Sequence, residues 1–323
     1  WIITTLTLNL FILLGSKPSL AIEGLKLAKS ETSILNGRLS LKLLKGFKEK
    51  ESFKSSAYAE FAWEEGPNQI TLAFQEQLVR FPEKHIEEEL LKKDRWQGPK
   101  QNFEIKSWLE PKDWKIYLVS PQETEEKTWG IPFGLEILDG QNLNLEVHVF
   151  IQSDSPKNFK KLSKAIKKSL ESLKPGKALN LGAIKETLDL KLIGEKILVQ
   201  IPKDFYLTTL QDQNQDYQHY IIARIQDFNR PEKASIKLTV HSRKEIEYDP
   251  SYGSKKIKKK LFRQDQVWWA SKEPNSYFSQ TRYPNFSKNK TTWPHFHLSI
   301  NAKNESDFKK LEEIIKSMVL LKN

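Results

Sequence analysis

Two stretches of the chain share one pattern of apolar and polar positions. Each begins with strict alternation, which is typical of a half-buried β-strand, and continues with apolar residues three and four positions apart, which is typical of an amphipathic helix. The first stretch is residues 145–173 and the second is residues 295–321. The pattern therefore predicts a strand–turn–helix unit that the chain uses twice.

The two stretches align without a gap at a fixed offset of 149 residues. Between residues 147–167 and 296–316, 8 of 21 positions are identical. The identical pairs are His148/His297, Ile151/Ile300, Phe159/Phe308, Lys160/Lys309, Lys161/Lys310, Leu162/Leu311, Ile166/Ile315 and Lys167/Lys316. Because an isolated helix of this length is marginal in water, we expect both helices to bury the same apolar face against a sheet.

The two units also open alike. Residues 39–43 alternate between apolar and polar side chains and lead to Phe47, while residues 197–201 alternate and lead to Phe205. Each opening is therefore predicted to be a half-buried strand that ends in a corner.

Between these ends, the first unit is predicted to contain strand pairs and one helix. The expected strands are 57–63, 69–78, 103–109, 114–119, 130–138 and 143–152, with a helix over 83–94. The Asp139-Gly140 dipeptide is typical of a type I′ turn between the last two strands. Ser155 is expected to cap the closing helix, and Pro156 suits its first turn.

The second unit is predicted to keep the strands and lose that inner helix. Its expected strands lie near 217–226, 235–241, 257–263, 267–271 and 277–281, and a loop over 249–253 takes the place of the helix. Because the two copies have diverged in this region, a function can sit on only one of them.

These elements define an α+β fold class with two similar domains, each a mainly antiparallel sheet packed by helices. The predicted organisation is a signal peptide over 1–21, a first domain over 22–175, a linker over 176–193 and a second domain over 194–323. A chain of 323 residues is long enough for each domain to bury its own core.

Residues 2–14 form an uncharged apolar run that is broken by Gly15, Lys17 and Pro18. Small residues follow at Ser19 and Ala21, which is the pattern of a signal-peptidase site. The run is short for a membrane span. We therefore expect export to the periplasm or the cell exterior, with cleavage after Ala21.

The composition and the missing motifs exclude several kinds of functional site. The chain has no Cys, which excludes disulfides, thiolate nucleophiles and Cys-ligated metals. No Gly-rich loop leads from a strand into a helix, and there is no G-x-S-x-G motif, so nucleotide binding and hydrolase chemistry have no sequence support. No catalytic residue and no cofactor are predicted. The net charge of +11 favours anionic partners.

His295 and His297 form an H-x-H on one face of a predicted strand, a spacing that can bind a metal. Glu146 and His148 hold the matching places in the first copy. The sequence places no third ligand, so the pair is a candidate metal site and also reads as an ordinary polar pair on a solvated strand.

The densest positive charge is interleaved with aromatic side chains in the second unit. The predicted binding residues are Lys255, Lys256, Lys258, Lys259, Lys260, Arg263, Trp268 and Trp269. Such a run can grip an anionic partner, and it also reads as a Lys-rich strand edge that blocks aggregation.

The corner Ile201-Pro202-Lys203-Asp204-Phe205 and the run His297-Leu298-Ser299-Ile300, which leads into a helix near Ser317, carry a family resemblance. With the antiparallel strands between them, the pattern resembles the PsbP-like fold, an α/β/α sandwich named for an extrinsic photosystem protein. That resemblance covers both copies and implies a non-catalytic binding or assembly factor. The two-domain arrangement with a signal peptide is also similar to periplasmic immunity proteins that neutralise type VI lipase effectors.

The sequence thus predicts an exported, non-catalytic, monomeric two-domain protein that binds another protein, with an acidic partner favoured by the charge, or an envelope component. The groove between the copies is the expected contact surface. A membrane surface is a further partner to consider, whereas nucleic acid is not expected for an exported protein. The alternatives are a metal-dependent or hydrolytic envelope enzyme and an immunity-type inhibitor of a secreted effector.

Overall fold

A computed structural model describes residues 25–50, 53–81, 103–109, 114–121, 133–153, 155–212, 217–227, 233–241, 255–273, 276–283 and 295–321. The segment over 1–21, the predicted helix over 83–94 and the predicted loop over 249–253 lie outside these residues.

Each half contains short strands, long strands and one helix that closes it. The first half contains β1 (Thr32–Ile34), β2 (Leu39–Leu41), β3 (Lys48–Glu49), β4 (Phe53–Ser55), β5 (Tyr58–Glu65), β6 (Asn68–Arg80), β7 (Phe103–Leu109), β8 (Lys115–Pro121), β9 (Phe133–Leu138), β10 (Leu143–Gln152), α1 (Pro156–Leu170) and β11 (Lys174–Pro175). The second half contains β12 (Ile184–Leu190), β13 (Glu195–Ile201), β14 (Phe205–Asp212), β15 (Tyr217–Arg224), β16 (Gln226–Asp227), β17 (Ala234–His241), β18 (Lys255–Leu261), β19 (Gln264–Glu273), β20 (Ser276–Tyr283), β21 (His295–Ala302), α2 (Glu305–Ser317) and β22 (Val319–Leu321).

The two halves have the same sheet order. The first large sheet runs β3-β5-β6-β10-β9-β8-β7 and the second runs β14-β15-β17-β21-β20-β19-β18. The small sheets, β1-β2-β11 and β12-β13-β22, also correspond. The prediction of two similar, mainly antiparallel halves is therefore confirmed. The protein is mainly β, with two α-helices in the part of the chain that the structure describes.

Each helix packs against its large sheet and also contacts its small sheet. Leu162, Ile166 and Leu170 of α1 belong to the first core, and Leu311 and Ile315 of α2 belong to the second. Burial of such apolar faces is the main source of stability for helices of this length. The apolar face predicted from the repeat is therefore a packing feature.

Serine hydroxyl groups attach each helix to its small sheet. In the first half, Ser169 Oγ donates to Lys42 O at 2.6 Å, and Lys42 N donates to Ser172 Oγ at 2.8 Å. In the second half, Gln200 N donates to Ser317 Oγ at 3.0 Å. The predicted cap is confirmed as well, because Ser155 caps α1 and Pro156 is in its first turn.

The halves exchange strands. In the second half, the chain after Phe205 runs as the single strand β14, whereas in the first half the matching stretch is divided in two. The strand β3 pairs with β5 of its own sheet, while β4 pairs with β14 of the other half. In return, β16 pairs in parallel with the end of β6. The backbone of each half thus completes a sheet of the other.

A buried charge cluster lies next to this exchange. Arg38 Nε donates to Glu76 Oε2 at 3.0 Å, and its Nη2 donates to Asp139 Oδ2 at 2.8 Å. Its Nη1 donates to the backbone oxygen of Lys177 at 2.9 Å, and the guanidinium lies 5.5 Å from the centroid of the Trp114 ring. Arg38 therefore connects the small sheet, the large sheet and the chain that leaves β11.

Burial and neighbouring charges shift the pKa values of Glu76 and Arg38. Burial raises the pKa of the Glu76 carboxyl, and Arg38 opposes part of that rise. Burial alone would lower the pKa of Arg38, but Glu76 and Asp139 outweigh it and raise that pKa. Tyr206 of the second half feels the same charges, and burial, with a contribution from Glu76, raises its pKa to about 12.

Apolar residues and one glycine complete the junction between the halves. Leu143, Leu179 and Ile225 form a buried cluster to which both halves contribute. A Cβ added at Gly176 would lie 1.9 Å from the backbone oxygen of Gly37, a distance that real contacts do not show. Gly176, which follows several residues after the end of α1, is therefore required by close backbone packing.

The turn between β9 and β10 is not the predicted type I′ turn at Asp139-Gly140. The positive φ of 58° lies at Asn142, and Asn142 N donates to Asp139 O at 2.8 Å. The Asp139 carboxylate also accepts from the backbone N–H groups of Gln141 and Leu143. These local hydrogen bonds determine the turn and hold Asp139 where Arg38 binds it.

The second strand–turn–helix unit ends differently from the sequence expectation. It was predicted to extend to residue 321, but α2 ends at Ser317, and Val319 lies in β22 with 38% of its surface exposed. Pairing of β22 with β13 removes it from the helix. The stretch 176–193, assigned to the connection, contains β12, which pairs with β13 along its length.

We predict that Arg38→Met lowers the free energy of unfolding by about 3–5 kcal/mol, because it leaves Glu76 and Asp139 buried without their cation. Urea unfolding measures the loss. The loss should shrink as the pH falls toward 4.5, the ordinary pKa of a glutamate carboxyl, because proton uptake then neutralises the buried Glu76.

A matched control for this prediction is Lys50→Met. Lys50 pairs with Glu60 at 2.8 Å, but 41% of the Lys50 side chain is exposed. An exposed ion pair contributes at most about 1 kcal/mol, so this variant should unfold close to the parent protein. Equal losses in both variants would contradict a special role for the buried cluster.

Candidate functional site

The Lys-rich run forms β18, the outermost strand of the second large sheet. Alternation explains how it folds: Ile257 packs against the core and Leu261 is buried within it, while most of the lysines between them face solvent. The exposed cations of this strand and its turn are Lys255, Lys256, Lys258, Lys260 and Arg263. The structure thus brings together most of the residues predicted to bind a partner. We call residues 255–273 the basic hairpin.

The turn of the basic hairpin has an unusual backbone. Phe262 and Arg263 have φ angles of 50° and 64°, in a two-residue connection of the kind that usually contains Asn or Gly. The Phe262 ring lies 5.8 Å from the Phe296 ring, so packing holds the strained residue in place. Arg263 is thereby presented at the tip of the hairpin.

Lys259 has a different role from its neighbours. Its ammonium pairs with Glu312 of α2 and lies 5.8 Å from the centroid of the Trp268 ring and 5.3 Å from that of Phe308. It therefore covers the end of the core and connects the hairpin to the helix.

The two tryptophans are separated by the sheet. Trp268 is 1% exposed and belongs to the second core, so it is not available for direct contact with a partner. Trp269 is on the opposite face, half-buried, with Lys256 Nζ 5.4 Å from the centroid of its ring. Val267, two residues before Trp269 on the same face, is 40% exposed. The outward face of the basic hairpin therefore carries Lys256, Lys258, Lys260, Val267 and Trp269.

The His295/His297 pair lies at the start of β21. His297 Nε2 is 3.2 Å from Gln280 Oε1, while the side chain of His295 is outside the described part of the structure. Among the described residues, no group of three or more His, Asp or Glu side chains is arranged to hold a metal ion.

His219, which is not among the predicted site residues, lies near His297 in the sheet. In the register of the sheet, His219 of β15 is opposite Thr239 of β17, which is opposite His297 of β21. His219 Nδ1 is 2.8 Å from Thr239 Oγ1. Burial, together with the charges of Lys237 and His241, lowers the pKa of His219 to about 4. The alternation of β15 was the available signal, but it did not show which neighbours His219 would meet.

The corresponding face of the first half is acidic. His148 Nε2 lies 3.2 Å from Glu146 Oε2, and Glu146 is fully buried while 40% of the His148 side chain is exposed. Gln77 and Asn144 also donate to the Glu146 carboxylate, at 2.8 Å and 3.2 Å. Glu136 is fully buried directly opposite Glu146 in the next strand. The sequence matched Glu146 and His148 to the second copy but did not predict this burial.

No protein-family model, curated protein or solved structure matches this chain. The resemblance to PsbP-like domains and to immunity proteins therefore stays a prediction from the sequence pattern. Neither of the described helices is long and apolar enough to cross a membrane.

We predict that acid destabilises this protein through His219. The unfolded chain takes up a proton near the ordinary pKa of 6.5, whereas the folded chain keeps His219 neutral down to about 4. The stability that the protein gains from a neutral His219 is therefore fully present above pH 6.5, and it is lost as the pH falls toward 4. The loss amounts to at most about 3 kcal/mol.

The measurement is urea unfolding across that pH range for the parent protein and for His219→Gln. The glutamine keeps a polar partner for Thr239 and does not titrate, so the variant should show a shallower dependence on pH. His148→Gln is the control, because 40% of the His148 side chain is exposed. The same pH dependence in parent and His219→Gln would contradict the assignment.

Proposed function

We propose that this chain is an exported, non-catalytic binding protein that recognises an acidic protein partner through its basic hairpin. The observation that carries the proposal is the set of exposed lysines on the outermost strand β18, next to the exposed Val267 and the half-buried Trp269. An apolar centre rimmed by cations is the usual composition of a surface that binds an anionic polypeptide.

The charge of the hairpin supports an acidic partner. Residues 255–273 contain seven Lys and Arg residues and two acidic residues, a net charge of +5 (seven minus two) in a chain whose total is +11. Such a concentration of one sign accelerates encounter with an oppositely charged molecule and is weakened by salt. We therefore expect association that is fast at low ionic strength.

The position of the hairpin supports a polypeptide in particular. In the described part of the sheet, β18 pairs with β19 on one side and has no neighbouring strand on the other. Its free backbone groups can accept an added extended strand, and the lysine side chains flank that edge. Lysines on an edge also prevent unspecific pairing, so only a segment with acidic side chains is expected to bind there.

The proposal also includes the fold family of each half. We infer that each half is an α/β/α sandwich of the PsbP-like kind, supported by the shared sheet order and by the closing helix of each half. The family resemblance implies a binding or assembly factor, in agreement with a surface role. The predicted export, the monomeric state and the absence of a nucleic-acid partner belong to this proposal as well.

We predict that replacing Lys256, Lys258 and Lys260 by Gln weakens binding to poly-glutamate about tenfold, since each exposed charge contributes roughly half a kcal/mol. Fluorescence anisotropy with labelled poly-glutamate measures the dissociation constant. The same number of charges is removed in the control Lys157→Gln, Lys161→Gln and Lys164→Gln, all exposed on α1. That control should bind nearly as well as the parent.

Two outcomes would contradict the proposal. Equal weakening in both triple variants would show that net charge alone drives binding. Binding of the parent to vesicles with anionic headgroups, without binding to poly-glutamate, would replace the protein partner by a membrane surface. Circular dichroism of each variant checks that the fold is intact.

A further inference from the structure

A cavity of about 260 Å³ lies where the two halves exchange strands. Asn36 and Ser56 of the first half line it, as do Lys191, Thr209, Gln218 and Tyr220 of the second. We propose that this cavity is a binding site for a small hydroxylated carboxylate, a molecule of the sugar-acid class. The proposal does not depend on the basic hairpin.

The exchanged strand builds one wall of the cavity. Ser55 of β4 is opposite Leu210 of β14, and the next residue continues the ladder. Ser56 N donates to Thr209 O at 3.2 Å, and Thr209 N donates to Ser56 Oγ at 3.0 Å. Because these bonds occupy the backbone groups, the wall is formed before any ligand arrives, which lowers the entropic cost of binding.

The other wall is a hydrogen-bonded network. Tyr220 Oη donates to Asp189 O at 2.7 Å, and Gln218 Nε2 donates to Tyr220 Oη at 2.7 Å and to Asp189 O at 2.9 Å. Gln218 is 5% exposed, and its Oε1 has no hydrogen-bond partner. A buried acceptor without a donor costs about 1–3 kcal/mol, which is unusual in a purely structural network.

The lining chemistry indicates the class of ligand. Hydroxyl and carboxamide groups of Ser56, Thr209, Tyr220 and Asn36 match a ligand that carries several hydroxyl groups. Among the described residues that line the cavity, Lys191 is the one charged side chain, and no carboxylate is present. A single cation without a competing anion favours a ligand with one negative charge.

The size and position of the cavity define the ligand further. Its volume is just below the usual range of roughly 300–1,000 Å³ for ligand pockets, so a molecule the size of one sugar fits best. The cavity is lined by both halves, so a bound molecule would contact the exchanged strand and the second sheet together. Binding should therefore stabilise the junction against unfolding.

The test uses D-glucuronate as the probe, with D-glucose and inorganic phosphate as comparisons. Isothermal titration calorimetry gives the affinity, and transverse-relaxation-optimised NMR spectra report the side-chain amides of Asn36 and Gln218. We expect saturable binding of glucuronate, weaker binding of glucose, and shifts at both amides. Lys191→Gln should weaken glucuronate binding about tenfold, the loss of one charge-assisted contact.

Matched variants distinguish the cavity from general charge effects. Lys185→Gln removes an exposed lysine from β12 and should leave the affinity unchanged. Asn36→Gly removes the carboxamide while keeping the positive φ of 54° accessible, and it should weaken glucuronate binding.

Three results would overturn the proposal. The first is no saturable binding of glucuronate, and the second is equal affinity in the parent and Lys191→Gln. The third is phosphate binding that is as tight as glucuronate binding, since that would show a simple anion site.

Discussion

The interaction on which this structure depends is the buried pairing of one guanidinium with two carboxylates. Arg38 enters from the small sheet, Glu76 from the large sheet and Asp139 from the turn that precedes the central strand β10. Taking three charges out of water is costly, and removing any one leaves the others without compensation. The cluster therefore favours a single arrangement of these elements over other compact arrangements. Tyr206 of the second half packs against the apolar cluster of Leu143, Leu179 and Ile225, which joins the two halves.

Around this cluster the two halves are joined by backbone rather than by side chains alone. The strands β4 and β16 each complete a sheet of the other half, so the junction has the hydrogen bonding of a sheet interior. The exchange also leaves the polar cavity that we assign to a small carboxylate. The basic hairpin lies at the far edge of the second sheet, with five strands between it and β4. The molecule thus combines a junction paired through its backbone with an exposed sheet edge.

The two halves share one sheet order, but they carry different side chains on their surfaces. At the matching positions His148 and His297, the imidazole Nε2 faces a buried carboxylate in the first half and a carboxamide in the second. The outer face of the first sheet is acidic beneath His148, whereas that of the second carries histidines, including His219, whose pKa burial lowers. The Lys-rich strand occurs in the second half alone, since its counterpart 103–109 contains a single lysine. Divergence on a shared core is how one fold acquires separate binding surfaces.

Local patterns in the sequence determined most of the long strands, the helix cap at Ser155, the buried helix faces and the similarity of the halves, because alternation and helical periodicity depend on near neighbours. Only the tertiary structure decided that Trp268 lies in the core while Trp269 borders the surface, and that Lys259 turns toward α2. Alternation assigns residues to two faces but does not say which face is covered. The ion cluster at Arg38 and the cavity between the halves consist of residues that are distant in the chain. The strand exchange brings those residues together, and it leaves no local pattern in the sequence.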